Sequence, residues 1–532
     1  MAGFRDGVGC PISSQFSETI SRMIAKVISH VVFGVEALRI DTEVDAYRAL
    51  QPAFNIVGLP DTGIRESANR IRSAMTSSGF RPQANKIVIN LAPADVRKEG
   101  ASLDLPMALG LLVASGYVPP DRLDEYSVVG ELGLDGALRP VPGVLSLAVG
   151  ARRDGMRGIL VPEANAAEGA MIEGIDVIPV RNLTQVAQFF MGEETISPHE
   201  VDRRAVFDKC RNYEVDFQDV KGQGHVKRAM EVAAAGGHNV LLVGSPGGGK
   251  TMLARRLPTI LPDMDLEESL ETTKIHSIAG LLDCHQALVA ARPFRAPHYT
   301  ISTAALIGGG SIPRPGEVSL AHHGVLFLDE IAELPRATLE VLRQPLEDGV
   351  VTISRAAMTL TFPARFLFCA AMNPCPCGFI MDDSRECTCN PQQVQKYRSR
   401  LSGPLMDRID LHIEVPAVQF QDLRQASGGE NSMTIRKRIE DARGVQRNRF
   451  VTRKGVFCNA HMTSRDLREH CKLDPDGEAM LERAMTSFGL SARSYDRVLK
   501  VARTIADLEA SEKVCPSHVG EAIQYRTLDR SG

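Results

Sequence analysis

The stretch that decides the fold is Asn239-Val-Leu-Leu-Val-Gly244-Ser245-Pro246-Gly247-Gly248-Gly249-Lys250-Thr251. An apolar run of strand length enters glycines, and a helix is expected from Lys250 onward. Residues 244–251 fit G-x-x-x-x-G-K-[ST], a pattern found once in the chain. Each part has a chemical reason. Glycines let backbone N–H groups converge on phosphate oxygens, where side chains would block the approach. The helix turns its positive end toward the anion. Lys250 is expected to reach the β- and γ-phosphates, and Thr251 to hold Mg²⁺. An ordinary glycine-rich turn is the alternative, and the strand–loop–helix order argues against it. ATP and Mg²⁺ are the expected cofactors.

Two further strands complete this reading. Val325-Leu-Phe-Leu-Asp329-Glu330 is an apolar strand ending in two carboxylates. Asp329 would position Mg²⁺, and Glu330 would orient and deprotonate the attacking water. Taken alone, the pair would be read as a buried strand with a helix-capping Asp. Ala364 to Asn373 is a third strand, whose terminal Asn373 would reach the γ-phosphate or the water. A turn residue before Pro374 is the bland alternative.

Around this unit the texture changes. Residues 23–192 read as a separate α/β domain, with strands at 27–35 and 86–93 and helices at 65–79 and 102–116. Residues 158–180 read strand, helix, strand. Residues 193–215 are polar and read as a linker. The α/β core spans 216–425. Residues 426–532 carry apolar residues at helical spacing and read as a helical domain. Residues 1–22 are Gly/Ser-rich and are expected to be a disordered extension.

The length of 532 residues suits several domains. With 61 Lys and Arg against 65 Asp and Glu, the net charge of −4 excludes a chain coated in basic charge. No apolar run approaches ~20 residues, so no membrane span is expected. The first 22 residues lack a signal peptide's apolar core. The 11 cysteines are an odd number, dispersed apart from one cluster, which argues against a secreted disulfide framework and for the cytoplasm.

That cluster is Cys375-Pro-Cys377 and Cys387-Thr-Cys389, within a polar insertion at 374–394. Four thiolates on two short turns suit tetrahedral Zn²⁺. Four reduced thiols on a hairpin are the alternative. Residues 431–470 hold ten Lys or Arg against four acids. Such a stretch is either a footprint for phosphate backbones or a solvated helix face with internal pairs. Residues 349–362 alternate as a β-hairpin would, with Arg355 near the tip.

Several segments carry a family resemblance: GLPDTGIRES (58–67), KEGASLDLPMALGLL (98–112), GSPGGGKTMLARRLPTILP (244–262), RPFRAPHYTIS (292–302), PRPGEVSLAHHGVLFLDE (313–330), MNPCPCG (372–378) and LSGPLMDRIDLHIEV (401–415). By these the chain resembles the AAA+ ATPases, and within them the magnesium-chelatase-like YifB/ComM family. The likeness runs from Met23 nearly to the C-terminus. Tyr299 stands where a second His is expected, and Ala101 where Pro is usual. Neither touches the nucleotide chemistry.

The resemblance implies a multidomain α/β protein: a Lon-protease-like N-terminal domain, an AAA+ P-loop core and a C-terminal helical lid. It implies a homohexameric ring with ATP between subunits. Arg408 would enter the neighbour's site as an arginine finger, and a surface Arg paired with Asp407 or Asp410 is the alternative. Arg493 fits the sensor-2 position, with Arg497 competing for it. In the Lon-like domain Ser102 sits where the protease nucleophile belongs. The segment 136–155, which should supply the general-base lysine, contains none, and Leu147 falls near its position. Proteolysis is therefore not expected.

Three functions follow as expectations. The first is a DNA motor, a helicase or branch-migration factor on single-stranded or branched DNA, alongside recombination proteins. In ring translocases of similar design the 349–362 hairpin faces the pore, so Arg355 is a candidate DNA contact. The second is a chelatase-type motor that remodels a protein client. The third is a nucleotide-gated DNA-binding scaffold. Resemblance to the ComM group favours the first.

Overall fold

A computed structural model describes residues 24–81, 84–98, 100–209, 213–282, 287–310, 313–355, 358–382, 385–416, 429–453, 455–489 and 491–526. The expected extension at 1–22 lies outside them. The chain divides into two compact units. One comprises Met1–Val32 and Ala37–Glu200, the other Phe33–Glu36 and Val201–Gly532. The main division falls inside the polar stretch 193–215, where Arg203–Lys209 forms a short helix.

The first unit is built on a seven-stranded mixed sheet. Its strands are β1 (Ile24–Phe33), β2 (Glu36–Tyr47), β3 (Ala53–Val57), β4 (Lys86–Ala92), β5 (Tyr126–Val128), β6 (Gly158–Pro162) and β7 (Asp176–Val180), in the order β3-β4-β2-β1-β5-β6-β7. β2 and β4 are antiparallel, and β5, β6 and β7 run parallel. In β4 alternate residues Ile87, Ile89 and Leu91 are buried, the period-two pattern of a half-buried strand. Helices α1 (Thr62–Ser77), α2 (Asp104–Ala114), α3 (Val144–Arg153) and α4 (Leu183–Met191) cover it. Every residue of α2 is buried, including Asp104. That carboxylate is tolerated because Arg70 Nε donates to it at 2.8 Å and Ser67 also donates.

Two features of this unit bear on hydrolytic chemistry. Ser102 lies in a short 3₁₀ turn (Ala101–Leu103), and Leu147 is buried within α3. A Ser–His–Asp row exists elsewhere. His30 Nδ1 lies 2.9 Å from Ser127 Oγ, and His30 Nε2 lies 3.0 Å from Asp154 Oδ2. Ser127 is wholly buried in β5, and burial holds His30 below its ordinary pKa. The row ties β1, β5 and the end of α3 together and presents no hydroxyl to a substrate.

The second unit centres on a five-stranded parallel sheet. Its strands are β8 (Val240–Val243), β9 (Phe294–Arg295), β10 (Val325–Leu328), β13 (Leu367–Met372) and β14 (Leu411–Glu414), in the order β9-β10-β13-β8-β14. Strands β8, β10 and β13 are buried along their whole length, as expected where helices cover both faces. Between β10 and β13 stands the hairpin of β11 (Val350–Arg355) and β12 (Met358–Pro363). Val351, Ile353, Leu360 and Phe362 bury one face, while Thr352 and Thr361 pair across the other.

Helices α5 (Gly224–Gly236) and α6 (Lys250–Ile260) flank β8 in sequence, and α7 (Pro391–Arg398) follows the cysteine segment. Helices α8 (Ser432–Phe450), α9 (Pro475–Phe488), α10 (Ala492–Leu508) and α11 (Pro516–Gln524) follow the last strand. They share one hydrophobic core with β8, α5 and α6, through residues such as Ile439, Val501 and Ile505. Among the described residues no helix is long and apolar enough to cross a membrane.

Candidate functional site

Parallel strands deliver their following loops to one edge of a sheet, and ligands bind there. The order β10-β13-β8 brings three such loops together. β8 leads to the phosphate loop, β10 to Asp329 and Glu330, and β13 to Asn373. Gly247 and Gly249 adopt φ of +81° and +85°, a region L-residues avoid. A Cβ at Gly244 would lie 2.2 Å from the Val415 carbonyl oxygen, so the loop passes where only glycine fits.

Lys250 opens α6 and is buried. Its Nζ donates to the Gly244 carbonyl at 2.6 Å, to the Ser245 carbonyl at 3.1 Å and to Asn373 Oδ1 at 3.2 Å. Burial pushes its pKa down, against the pull of Asp329 and Glu330. A bound polyphosphate would favour the charged form. Thr251 Oγ1 donates to Asp329 Oδ2 at 2.7 Å. Two oxygen donors thus meet at one point, the hard set that Mg²⁺ takes alongside phosphate oxygens. The donor set and the glycine cradle both fit an Mg²⁺–nucleotide.

Glu330 is exposed and has φ of +48°, rare for a residue with a side chain. Strain of this kind costs about 1–3 kcal/mol and gathers at functional sites. Its N–H donates to Asp329 Oδ1 at 3.0 Å, which fixes the Asp329 carboxylate against the backbone of Glu330.

Arg408 sits elsewhere. It precedes β14, whose Leu411 pairs with Val240 at the start of β8. The Arg408 carbonyl accepts from Asn239 Nδ2 at 2.9 Å. This is the opposite edge of the sheet from the phosphate loop, about 13 Å away along four strand residues. The guanidinium binds the Pro404 carbonyl at 2.7 Å and the exposed Glu347. Arg493 and Arg497 lie near Arg408. Both lie on α10, where Arg493 pairs with Asp407 at 3.3 Å and stays exposed, and Arg497 pairs with buried Asp410. α10 therefore clamps both sides of the turn that carries Arg408.

Burial alone would raise the Asp410 pKa, but Arg497 and His238 hold it below the ordinary carboxylate range. A depressed native pKa stabilises the fold above the unfolded value and loses that contribution as pH falls through the native one. Arg497→Leu leaves a buried carboxylate short of its main partner. It is expected to cost about 3–5 kcal/mol, read as a lowered midpoint in denaturant at pH 7. The difference from the parent should shrink in acid.

The cysteine segment begins two residues after Asn373. Cys375 Sγ lies 3.4 Å from Cys377 Sγ and 3.8 Å from Cys387 Sγ, and Cys377 and Cys387 are 3.5 Å apart. The Cys377 N–H donates to Cys389 Sγ at 3.3 Å. All four sulfurs lie within 4.8 Å of one another and none is disulfide-bonded. Tetrahedral Zn–S bonds of about 2.3 Å place sulfurs about 3.8 Å apart. The donor set and spacing fit that ion.

The basic stretch at 431–470 resolves differently from a stripe. Arg436 pairs with Asp263, Arg438 with Glu231 and Glu430, Arg449 with Asp507, and Arg453 with Asp466 and Glu469. Arg443 donates to the Ala234 carbonyl. Lys437, Arg447, Arg465 and Arg468 are exposed, and Lys454 lies outside the described residues. Five of the ten cations thus serve internal bonds and four face solvent. Arg355 is exposed at the end of β11, beside tip residues 356–357 that are not described.

Sequence reasoning passed over two supports of the site. Gln223 Nε2 donates to the Gly248 carbonyl at 2.9 Å and the Pro416 carbonyl at 2.8 Å, which ties the phosphate loop to the chain beyond β14. A Gln after Gly at a helix start carries no sequence signal for that role. The backbone of Asn373 faces the Tyr397 phenol and works against the upward push of burial on its pKa, and that partner is 24 residues downstream.

Three family models match. Magnesium chelatase, subunit ChlI, covers residues 216–423; subunit ChlI of Mg-chelatase covers 42–165; and the ChlI C-terminal model covers 429–526. YifB of Salmonella typhimurium is 44% identical over 95% of this chain and 98% of its own. The competence protein ComM of Haemophilus influenzae is 41% identical over the same shares. The chloroplastic magnesium-chelatase subunit ChlI-1 of Arabidopsis thaliana is 22% identical over 66% of this chain and 82% of its own.

Proposed function

The chain belongs to the magnesium-chelatase-like YifB/ComM family of AAA+ ATPases, and from that premise we propose that it is an ATP-hydrolysing ring motor that acts on DNA. The observation that carries the reading is the split between the two edges of the sheet. Lys250, Thr251, Asp329, Glu330 and Asn373 meet at the carboxyl edge, and Arg408 stands at the other. An arginine so placed serves a neighbour's nucleotide, which calls for a closed ring, a homohexamer by family resemblance. Arg493, exposed beside Arg408, would act from the same side as sensor 2.

In the working site Lys250 leaves its carbonyl partners for the β- and γ-phosphates. Asp329 and Thr251 would hold Mg²⁺, which would supply positive charge against the charge that develops on the phosphoryl group. Glu330 takes the proton of the attacking water, and Asn373 orients that water or the γ-phosphate. The four thiols hold one Zn²⁺. The first unit is a Lon-like platform without protease chemistry.

The name of the Haemophilus relative supports a role in competence. There the motor would extend pairing of incoming single strands in the cytoplasm, alongside recombination proteins. Arg355 on the hairpin is the proposed DNA contact. The test is steady-state ATP hydrolysis with no DNA and with single-stranded, duplex and forked DNA. Stimulation of about tenfold or more that vanishes in Lys250→Ala is expected. Hydrolysis indifferent to every DNA would remove the DNA reading. The matches to ChlI favour a second one, a motor that remodels a protein client.

A further inference from the structure

The thiol cluster and the phosphate loop touch. Gly378 closes the first thiol turn, with its N–H donating to the Cys375 carbonyl at 3.0 Å and φ of +88°. A Cβ built on it would lie 2.7 Å from Pro246 Cδ, 2.8 Å from Pro246 Cγ and 3.9 Å from Asn373 Cγ. The backbone of the thiol turn therefore rests on the ring of a phosphate-loop residue. A second link runs along the chain. Asn373, which binds Lys250 Nζ, is two residues from Cys375. Arg398 of α7 holds the same short segment from beyond the second thiol pair, its Nε donating to the Pro374 carbonyl at 3.4 Å.

The segment between these anchors has little else to hold it. From Pro376 to Asn390 Gly378 is the one described residue that is buried, and of the four thiols only Cys375 is. Without a core, its conformation depends on whatever ties the four sulfurs together. With the sulfurs tied, Gly378 is pressed onto Pro246 and Asn373 is aimed at Lys250. With them untied, both constraints on the phosphate loop lapse.

We propose that the tetrathiolate site is a strut of the nucleotide pocket: metal held by Cys375, Cys377, Cys387 and Cys389 sets the affinity for ATP through Gly378–Pro246 and Asn373–Lys250. The inference rests on the zinc reading above and adds a function to it. Coupling between two sites is reciprocal, so nucleotide must tighten metal by the factor by which metal tightens nucleotide.

The experiment uses the full chain carrying Glu330→Gln, so that ATP is bound and not consumed. Zinc content is measured first. ATP affinity is then measured by calorimetry on the loaded chain and on chain stripped by a chelator under reducing conditions. Zinc affinity is measured by competition with a chromophoric chelator, with and without ATP. One zinc per chain is expected, with ATP binding at least tenfold weaker after stripping and a matching rise in zinc affinity when ATP is present. Gly378→Ala keeps all four thiols and crowds Pro246. It is expected to retain zinc and still lose about tenfold in ATP affinity. This variant decides the matter if stripping unfolds the domain, as circular dichroism would reveal.

Equal ATP affinity with and without zinc, in a chain that carries one zinc, would overturn the strut and leave the zinc reading intact. Zinc retention with unchanged ATP affinity in Gly378→Ala would overturn it as well. A chain that takes up no zinc would remove both readings together.

Discussion

Arg408→Ala is expected to lower ATP turnover by about a thousandfold, while ATP binding to the same subunit stays within a few fold. The magnitude is that of an arginine that neutralises charge on a transferring phosphoryl group. The separation of effects follows from position. Arg408 lies at the amino edge of the sheet, bonded through its carbonyl to Asn239, and its own phosphate loop is at the carboxyl edge. Its ion pair with exposed Glu347 contributes little to the fold, because solvent screens it. Arg408→Lys should also be impaired, since an ammonium lacks the planar fork. Mixed assemblies give the sharper test. Lys250→Ala subunits cannot hold nucleotide but still offer Arg408. Arg408→Ala subunits hold nucleotide but offer no finger. Mixing two inactive proteins is expected to recover measurable hydrolysis. A mixture as inactive as its components would disprove action across the subunit interface.

Glu330→Gln is expected to lower hydrolysis by about 10²–10⁴-fold, the range for a positioned general base, with ATP binding retained. Gln matches Glu in shape, so the φ of +48° and the N–H bond to Asp329 are undisturbed. What is lost is the ability to accept the water's proton. Calorimetry should show nucleotide binding like the parent's, and single-turnover assays should show no product burst. A variant that hydrolyses at the parental rate would assign the base elsewhere. Asp329→Asn should differ in kind, because it disturbs the pair with Thr251 at 2.7 Å and weakens Mg²⁺-dependent binding as well.

Much of the fold was legible because its signals are local. The buried strands β8, β10 and β13 are short apolar runs bounded by turn residues, and α2 is apolar from Leu105 to Ala114 and is closed by Gly116. Period-two alternation in 349–362 was enough to place the β11–β12 hairpin. The basic stretch left two readings open for the complementary reason. A one-dimensional count sees the cations of 431–470 and only the acids nearby. Partners such as Asp263, Glu231 and Asp507 are 173, 207 and 58 residues away and enter only when the chain folds.

The sequence by itself determined the glycine-rich loop between strand and helix. The residues of that loop are contiguous, and its shape depends on glycine's φ and a helix start, both properties of the local chain. It also determined which side chains were available: carboxylates at a strand end, four thiols in two pairs, arginines before and after the last strand. Only the tertiary structure decided where these act. Strand order brought Asn373 to Lys250, and the parallel direction of β14 put Arg408 at the far edge. Packing set Gly378 on Pro246 and joined the thiol turn to the phosphate loop. The physical reason is that sheet order and loop packing are set by long-range burial, whereas a phosphate cradle is set by the dihedral angles of a few successive residues.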